Sequence, residues 1–221
     1  TTSVSPDAEP TEAVLPTVTG EAEIQLSMSV EPGPPVPRAL IRKKAAKQYD
    51  DKGARGQGID VALIDSGVTP VAGLDQPGKV IYGPDLSNEG GIPNLANLDT
   101  VGHGTHLAGI IAGDDGDRVL GIAPDARLVS LKVAGATGET HIAQVIAAID
   151  WVVEHRNDNG MNIRVLNLSL GTGGLPTSAG DPFSAAVERA WNAGIVVVAS
   201  AGNRGNAVGG IDSPALSPYV M

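Results

Sequence analysis

Four short apolar runs rich in β-branched residues, spaced by helical patterns, constrain this chain more than any other feature. They fall at residues 58–64, 127–133, 163–170 and 195–201. The first is close to unbroken, as a strand buried on both faces requires, and the others repeat its character. Between the second and third, Ile142, Val145, Ile146, Ile149 and Val153 share one helical face, and Asn159-Gly160 supplies a stop. Between the third and fourth, Asp181 is placed as an N-cap, with Pro182 in the first turn. Phe183, Val187, Ala190 and Trp191 form the stripe of that helix, and Gly194 ends it. A further helix is expected to start near His103 and to run through Leu107, Ile110 and Ile111. Strands alternating with helices predict an α/β fold: a doubly wound, mostly parallel sheet with helices on both faces. Ligands of such sheets gather beyond the carboxyl ends of the strands.

Charge divides the chain into three parts. Residues 1–37 carry six acids, no base and seven of the 16 prolines, so most of this stretch is expected to be an extended tail or the remnant of a pro-segment. Within it, residues 21–30 alternate loosely, as a short strand does. Residues 38–55 hold seven bases against two acids around an Ala-rich centre, which predicts a basic lead-in helix. Residues 56–221 form the folded domain, with eight bases facing 17 acids. The whole chain is at −10, which disfavours nucleic acid and anionic membranes as partners. No apolar run reaches 18 residues, so no membrane-spanning helix is expected. With no cysteine, disulfides, thiolate metal sites and a cysteine nucleophile are all excluded. The chain opens at Thr1 without a basic-then-apolar leader, which reads as a processed form or a fragment.

The strand ends carry the chemistry. The first ends in Ile64-Asp65-Ser66-Gly67, where a carboxylate meets a glycine that permits a sharp turn. An Asx-turn or cap is the plain reading of such a segment alone. The run from Gly102 to Gly109 surrounds His103 with small residues and places His106 one turn further on. A histidine pair at that spacing can bind metal, yet no neighbouring Glu or Cys completes a ligand set. The third strand leads into Ser169, Leu170 and Gly171, and the fourth releases Asn203 through Gly202. Aspartate, histidine and asparagine thus fall at or near strand ends of one parallel sheet.

The segments VALIDSGV (61–68), GHGTHLAGIIAG (102–113), GIAPDARLVSLKV (121–133), RVLNLSLG (164–171) and VVVASAGN (196–203) resemble the subtilisin-like serine peptidases in order and spacing. The resemblance covers roughly residues 56–221, and the HGTH block is its most specific part. It implies a serine endopeptidase with an Asp-His-Ser triad in that chain order. Asp65 would orient the imidazole, His103 would be general base and then general acid, and Asn203 would donate to the oxyanion. Ser169, Leu170 and Gly171, with Val133, Ala134 and Gly135 of the segment 133–138, would pair with an extended peptide substrate. No cofactor is required by that chemistry, and secretion is implied.

The nucleophile's Gly-Thr-Ser-x-Ala-x-Pro turn is absent from these 221 residues. The segment 176–182 carries Thr, Ser178 and a final Pro at matching offsets, but it precedes Asn203 and reads as a loop into a Pro-started helix. The expectation is therefore the front part of a longer enzyme, with the residues around 217–221 opening another strand. A rival reading is an inactive relative that only grips extended peptides. Asp114, Asp115 and Asp117 offer oxygen ligands to Ca²⁺, which the family often uses, although solvated loop charges are the simpler reading. Residues 73–79 match the first seven positions of a phosphate loop, but Pro77 interrupts them and Val80 replaces the Mg²⁺-binding hydroxyl. The sequon Asn167-Leu-Ser169 lies in an expected buried strand and is discounted.

Overall fold

The computed structural model describes residues 53–116, 119–172, 181–203 and 210–221, together with the backbone of 23–25. Its strands in chain order are β1 (Glu23–Gln25), β2 (Asp60–Asp65), β3 (Val80–Asp85), β4 (Arg127–Lys132), β5 (Glu139–His141), β6 (Ile163–Leu168) and β7 (Val196–Ala199). The helices are α1 (His103–Ala112), α2 (Ile142–His155) and α3 (Pro182–Asn192). Five strands form a parallel sheet in the order β3-β4-β2-β6-β7, which is the expected α/β architecture. From β2 the chain passes to the edge strand β3, returns to β4 beside β2, and then crosses by α2 to β6 on the other side of β2. The carboxyl end of β2 is therefore the crevice where such sheets bind ligands.

Side-chain parity explains why β2 reads as one continuous apolar run. Val61 and Leu63 pack with Ala108 and Ala112 of α1 on one face. Ala62 and Ile64 pack with Val145, Ile149, Phe183 and Val187 of α2 and α3 on the other. Successive strand residues alternate faces, so both sets need to be apolar. Burying each of the larger β2 side chains, Val61, Leu63 and Ile64, contributes about 1.5–3 kcal/mol before the entropic cost of ordering the chain. The same alternation turns Asp65, two residues after Leu63, towards the α1 face.

The helices form where expected, with two shifts of face. In α2 the buried stripe is Val145, Ala148, Ile149 and Val152, while Val153 lies at its margin. In α3 it is Phe183, Ala186, Val187 and Ala190, and Trp191 is 41% exposed. Trp191 stands eight positions after Phe183, at the edge of an apolar stripe, where an indole shields the core without entering it. Both Asp181 carboxylate oxygens cap α3, accepting the amides of Phe183 and Ser184 at 3.1 and 3.3 Å.

Two strands have no clear signature in the sequence. β3 contains Gly83 and Pro84, which are tolerated because it is an edge strand with an irregular register against β4. β5 follows the turn at 135–138 and pairs antiparallel with β1, Ile24 opposite Thr140. The expected strand within 21–30 is thus present at Glu23–Gln25. The rest of the acidic segment and residues 38–52 of the expected basic helix lie outside the described residues. At the other end, the Met221 amide donates to Val197 O and its carbonyl accepts from the Ala199 amide, so the chain there runs alongside β7.

Candidate functional site

Asp65 is the last residue of β2 and His103 the first of α1. Nδ1–H of His103 donates to Oδ1 of Asp65 over 2.7 Å. The carboxylate is 1% exposed, while the imidazole keeps its outer edge towards solvent, with 15% of the side chain exposed. Asp65 Oδ1 also accepts the Ser66 amide at 2.8 Å, whereas Oδ2 has no hydrogen-bond partner among the described residues. A proton held on Nδ1 by the carboxylate leaves Nε2 with its lone pair, the form a general base requires.

The close approach of α1 to the end of β2 depends on two glycines. Gly67 takes φ +102°, which turns the chain directly after the carboxylate. A Cβ on Gly104 would lie 2.1 Å from the carbonyl oxygen of Gly67 and 3.2 Å from Asp65 Oδ1. Only a residue without a side chain fits beside His103 there. Sequence reading noted the small residues around His103 but not the atom they make room for.

A second carboxylate supports the first. Asp99 gathers the amides of Gly102 (2.7 Å) and Val101 (3.1 Å) on Oδ1 and of Thr105 (2.8 Å) on Oδ2, closing the turn that starts α1. The Ser66 hydroxyl stands 2.8 Å from Asp99 Oδ1 and 3.2 Å from Asp65 Oδ1, and it accepts the Gly104 amide at 3.0 Å. Burial works against the charge on Asp99, but hydrogen bonds from Thr105, Gly102 and Ser66 outweigh it and hold its carboxyl below the usual range. The hydrogen bond to Asp65 raises the basicity of His103 above its ordinary value. Burial opposes that rise, and the charges of Asp65 and Asp99 reinforce it.

The opposite end of β2 serves as a control. Asp60 is also 1% exposed, but it is held by Arg127 through two bonds of 2.7 Å and accepts the Asn162 amide at 2.6 Å. That carboxylate fastens the amino ends of β2, β4 and β6. A buried acid there has cation and amide partners, and none of them is an imidazole.

The remaining expected residues fall as follows. Val133, Ala134 and Leu170 are buried, Ser169 and Gly171 half-buried, and Ser169 Oγ accepts from Asn167 Nδ2 at 2.9 Å. Gly135 begins the turn into β5, its carbonyl accepting the Gly138 amide. Leu170 O accepts the Ser200 hydroxyl at 3.2 Å, which ties the 169–171 segment to the end of β7. Asn203 follows β7 and is exposed. His106, one turn after His103, is likewise exposed. Ser178 lies outside the described residues. The segment 73–79 is a turn ahead of β3, and Lys79 Nζ is bonded to the carbonyls of Pro124 and Ala126 rather than facing an anion cradle.

Of the three carboxylates expected to offer ligands to calcium, Asp114 and Asp115 fall among the described residues. Asp114 Oδ1 accepts the Gly116 amide and Asp115 Oδ1 the Val119 amide, so these oxygens close the loop on its own backbone. Among the described residues no group of three or more His, Asp or Glu side chains is placed to hold a metal ion, and Asp117 lies outside them. No described helix is long and apolar enough to cross a membrane.

An imidazole oriented by a buried carboxylate, at the carboxyl edge of a parallel α/β sheet, can act as a general base towards a nucleophile. Residues 56–221 match the model of the subtilase family, and the chain belongs to that family. It is 36% identical over 172 residues to the serine protease AprX of Bacillus subtilis (strain 168), an alignment covering 75% of this chain and 38% of that protein. It is 36% identical over 190 residues to subtilisin-like protease 2 of Trichophyton verrucosum, covering 86% and 40%. Against the thermostable alkaline protease of Halalkalibacterium halodurans it is 34% identical over 180 residues, covering 79% and 43%. The chain thus spans about two-fifths of the length of these relatives.

Sequence reading missed two buried charges beside this site. Lys132, the last residue of β4 and in register with Asp65, is 0% exposed, and its ammonium reaches Glu89, which is 7% exposed. A lone lysine inside the apolar run 127–133 was the available signal, since a charge there has to find a partner.

Proposed function

We propose that this chain contributes the base and oxyanion elements of a secreted serine endopeptidase, with the nucleophilic serine supplied by sequence outside these 221 residues. Residues 56–221 are then part of the catalytic domain, preceded by the acidic tail 1–37 and the basic lead-in 38–55. The observation that carries this reading is the 2.7 Å bond between Asp65 and His103 at the carboxyl edge of the sheet.

In this mechanism an extended peptide pairs its backbone with 133–138 and with Ser169–Leu170–Gly171. His103 Nε2 takes the serine hydroxyl proton as Oγ bonds to the scissile carbonyl carbon. The carbonyl π pair moves to oxygen, and the amide of Asn203 donates to that oxyanion. Collapse of the tetrahedral intermediate breaks the C–N bond, and His103 passes its proton to the leaving amine. Water then repeats the sequence on the acyl-enzyme and releases the carboxylate product. Asp65 keeps its hydrogen bond to Nδ1 throughout and stabilises the imidazolium. The sequence of steps uses no cofactor.

The test is labelling of the complete protein with a fluorophosphonate, followed by mass mapping of the modified residue. The expected result is one labelled serine outside these residues, with labelling abolished in His103→Ala. An unlabelled protein that still binds extended peptides would instead identify a non-catalytic relative.

A further inference from the structure

Glu89 connects the segment expected to carry substrate with the one that carries the base. Its Oε1 accepts the Ala136 amide at 3.0 Å. Its Oε2 accepts the Thr100 hydroxyl at 2.8 Å and the Lys132 ammonium at 2.5 Å. Lys132 Nζ has three protons, and its other acceptors are Leu98 O at 2.5 Å and Leu95 O at 3.4 Å. One buried carboxylate and one buried ammonium therefore fasten 133–138 to 95–100, the stretch that leads through Asp99 into His103. Gly135 shows how closely the two approach: a Cβ there would lie 2.3 Å from Asn88 Oδ1 and 3.2 Å from the Glu89 carboxyl carbon. Burial raises the cost of charge on Glu89, but bonds from Lys132, Thr100 and Ala136 more than offset it, so the group is held as a carboxylate.

We propose that Glu89 is a positioning residue for the extended substrate, fixing the edge segment 133–138 through the Ala136 amide at a set distance from His103. This rests on the peptidase reading above. Stability alone does not explain a buried ion pair, because apolar residues of similar volume commonly serve as well or better. Here three of the bonds end on backbone groups of two functional segments, Ala136 N–H on one side and Leu95 O and Leu98 O on the other.

The experiment compares two substrates on the complete protein: a peptide long enough to lie along 133–138, and a single-residue ester that cannot reach it. The variants are Glu89→Gln and the double variant Glu89→Gln/Lys132→Met, which removes both buried charges and keeps the test open should the single variant fail to fold. Loss of a charge-assisted bond to the edge segment predicts a KM for the long peptide raised about tenfold or more. kcat/KM for the ester should fall by a much smaller factor than kcat/KM for the long peptide. A proportional loss on both substrates would reduce Glu89 to a structural residue and overturn the proposal, as would an unchanged KM in a folded variant. If the wild-type protein neither takes the fluorophosphonate nor cleaves either substrate, the peptidase reading itself fails, and this inference falls with it.

Discussion

Asp65 and His103, 38 residues apart in the chain, share a 2.7 Å bond in which a fully buried carboxylate holds Nδ1 of a half-buried imidazole. Neither β2 nor α1 makes the site alone. The strand presents the acid on the α1 face, and Gly104 lets the helix start within reach of it.

The bond gives His103 a pH signature. The Asp65 hydrogen bond and the charges of Asp65 and Asp99 raise its basicity in the folded protein. The unfolded reference is about 6.5, so the pair adds stability that is fully present below about pH 6.5 and is lost as pH rises through the higher folded value. On the proposed peptidase reading the working base is the neutral ring, so kcat/KM should rise with pH to an inflexion above about 6.5. Asp99→Asn removes one raising charge and should move that inflexion to lower pH. An inflexion that stays in place or moves upward in the variant would contradict the electrostatic account.

Gly104→Ala should be costly out of proportion to one methyl group. The new Cβ meets a backbone oxygen of Gly67 at 2.1 Å, and the strand end cannot rotate away as a flexible side chain can. Overpacking of this kind costs about 1–3 kcal/mol, and here it also pushes His103 from Asp65. Denaturant unfolding would register the loss, and a change within about 0.5 kcal/mol would show that the approach is looser than described.

Lys132→Met leaves the Glu89 carboxylate buried without its cation and should destabilise by about 3–5 kcal/mol. Adding Glu89→Gln to it should recover part of that loss. If the double variant is less stable than the single one by urea melts, the pair is not coupled as the geometry shows.

Asp181→Ala should cost about 1 kcal/mol through loss of the α3 cap, detectable as a lowered urea midpoint. Catalysis per folded molecule should be unchanged, since α3 packs on the face of the sheet opposite α1.

Much of this fold is legible in one dimension because a parallel sheet covered on both faces forces its strands to be apolar throughout. For the same reason Asp65, at the end of such a run, stands out. β3 was hidden because an edge strand tolerates Gly83 and Pro84. Spacing alone places Trp191 on the inward stripe, because it does not separate the centre of a helical stripe from its margin. Ser66, Asp99 and Glu89 are a different matter. Each is an ordinary residue in the sequence and acquires its role from a partner dozens of residues away, or, for Ser66, from standing between two carboxylates. The 2.8 Å bond from Ser66 to Asp99 has no local signature.

The most direct test is the rate of peptide hydrolysis by the complete protein carrying Asp65→Asn. An amide of the same shape keeps the packing but favours the wrong imidazole tautomer, so kcat should fall by about 10⁴-fold while the fold and KM are retained. A variant that keeps kcat within about threefold of wild type would show that Asp65 does not serve His103 in catalysis.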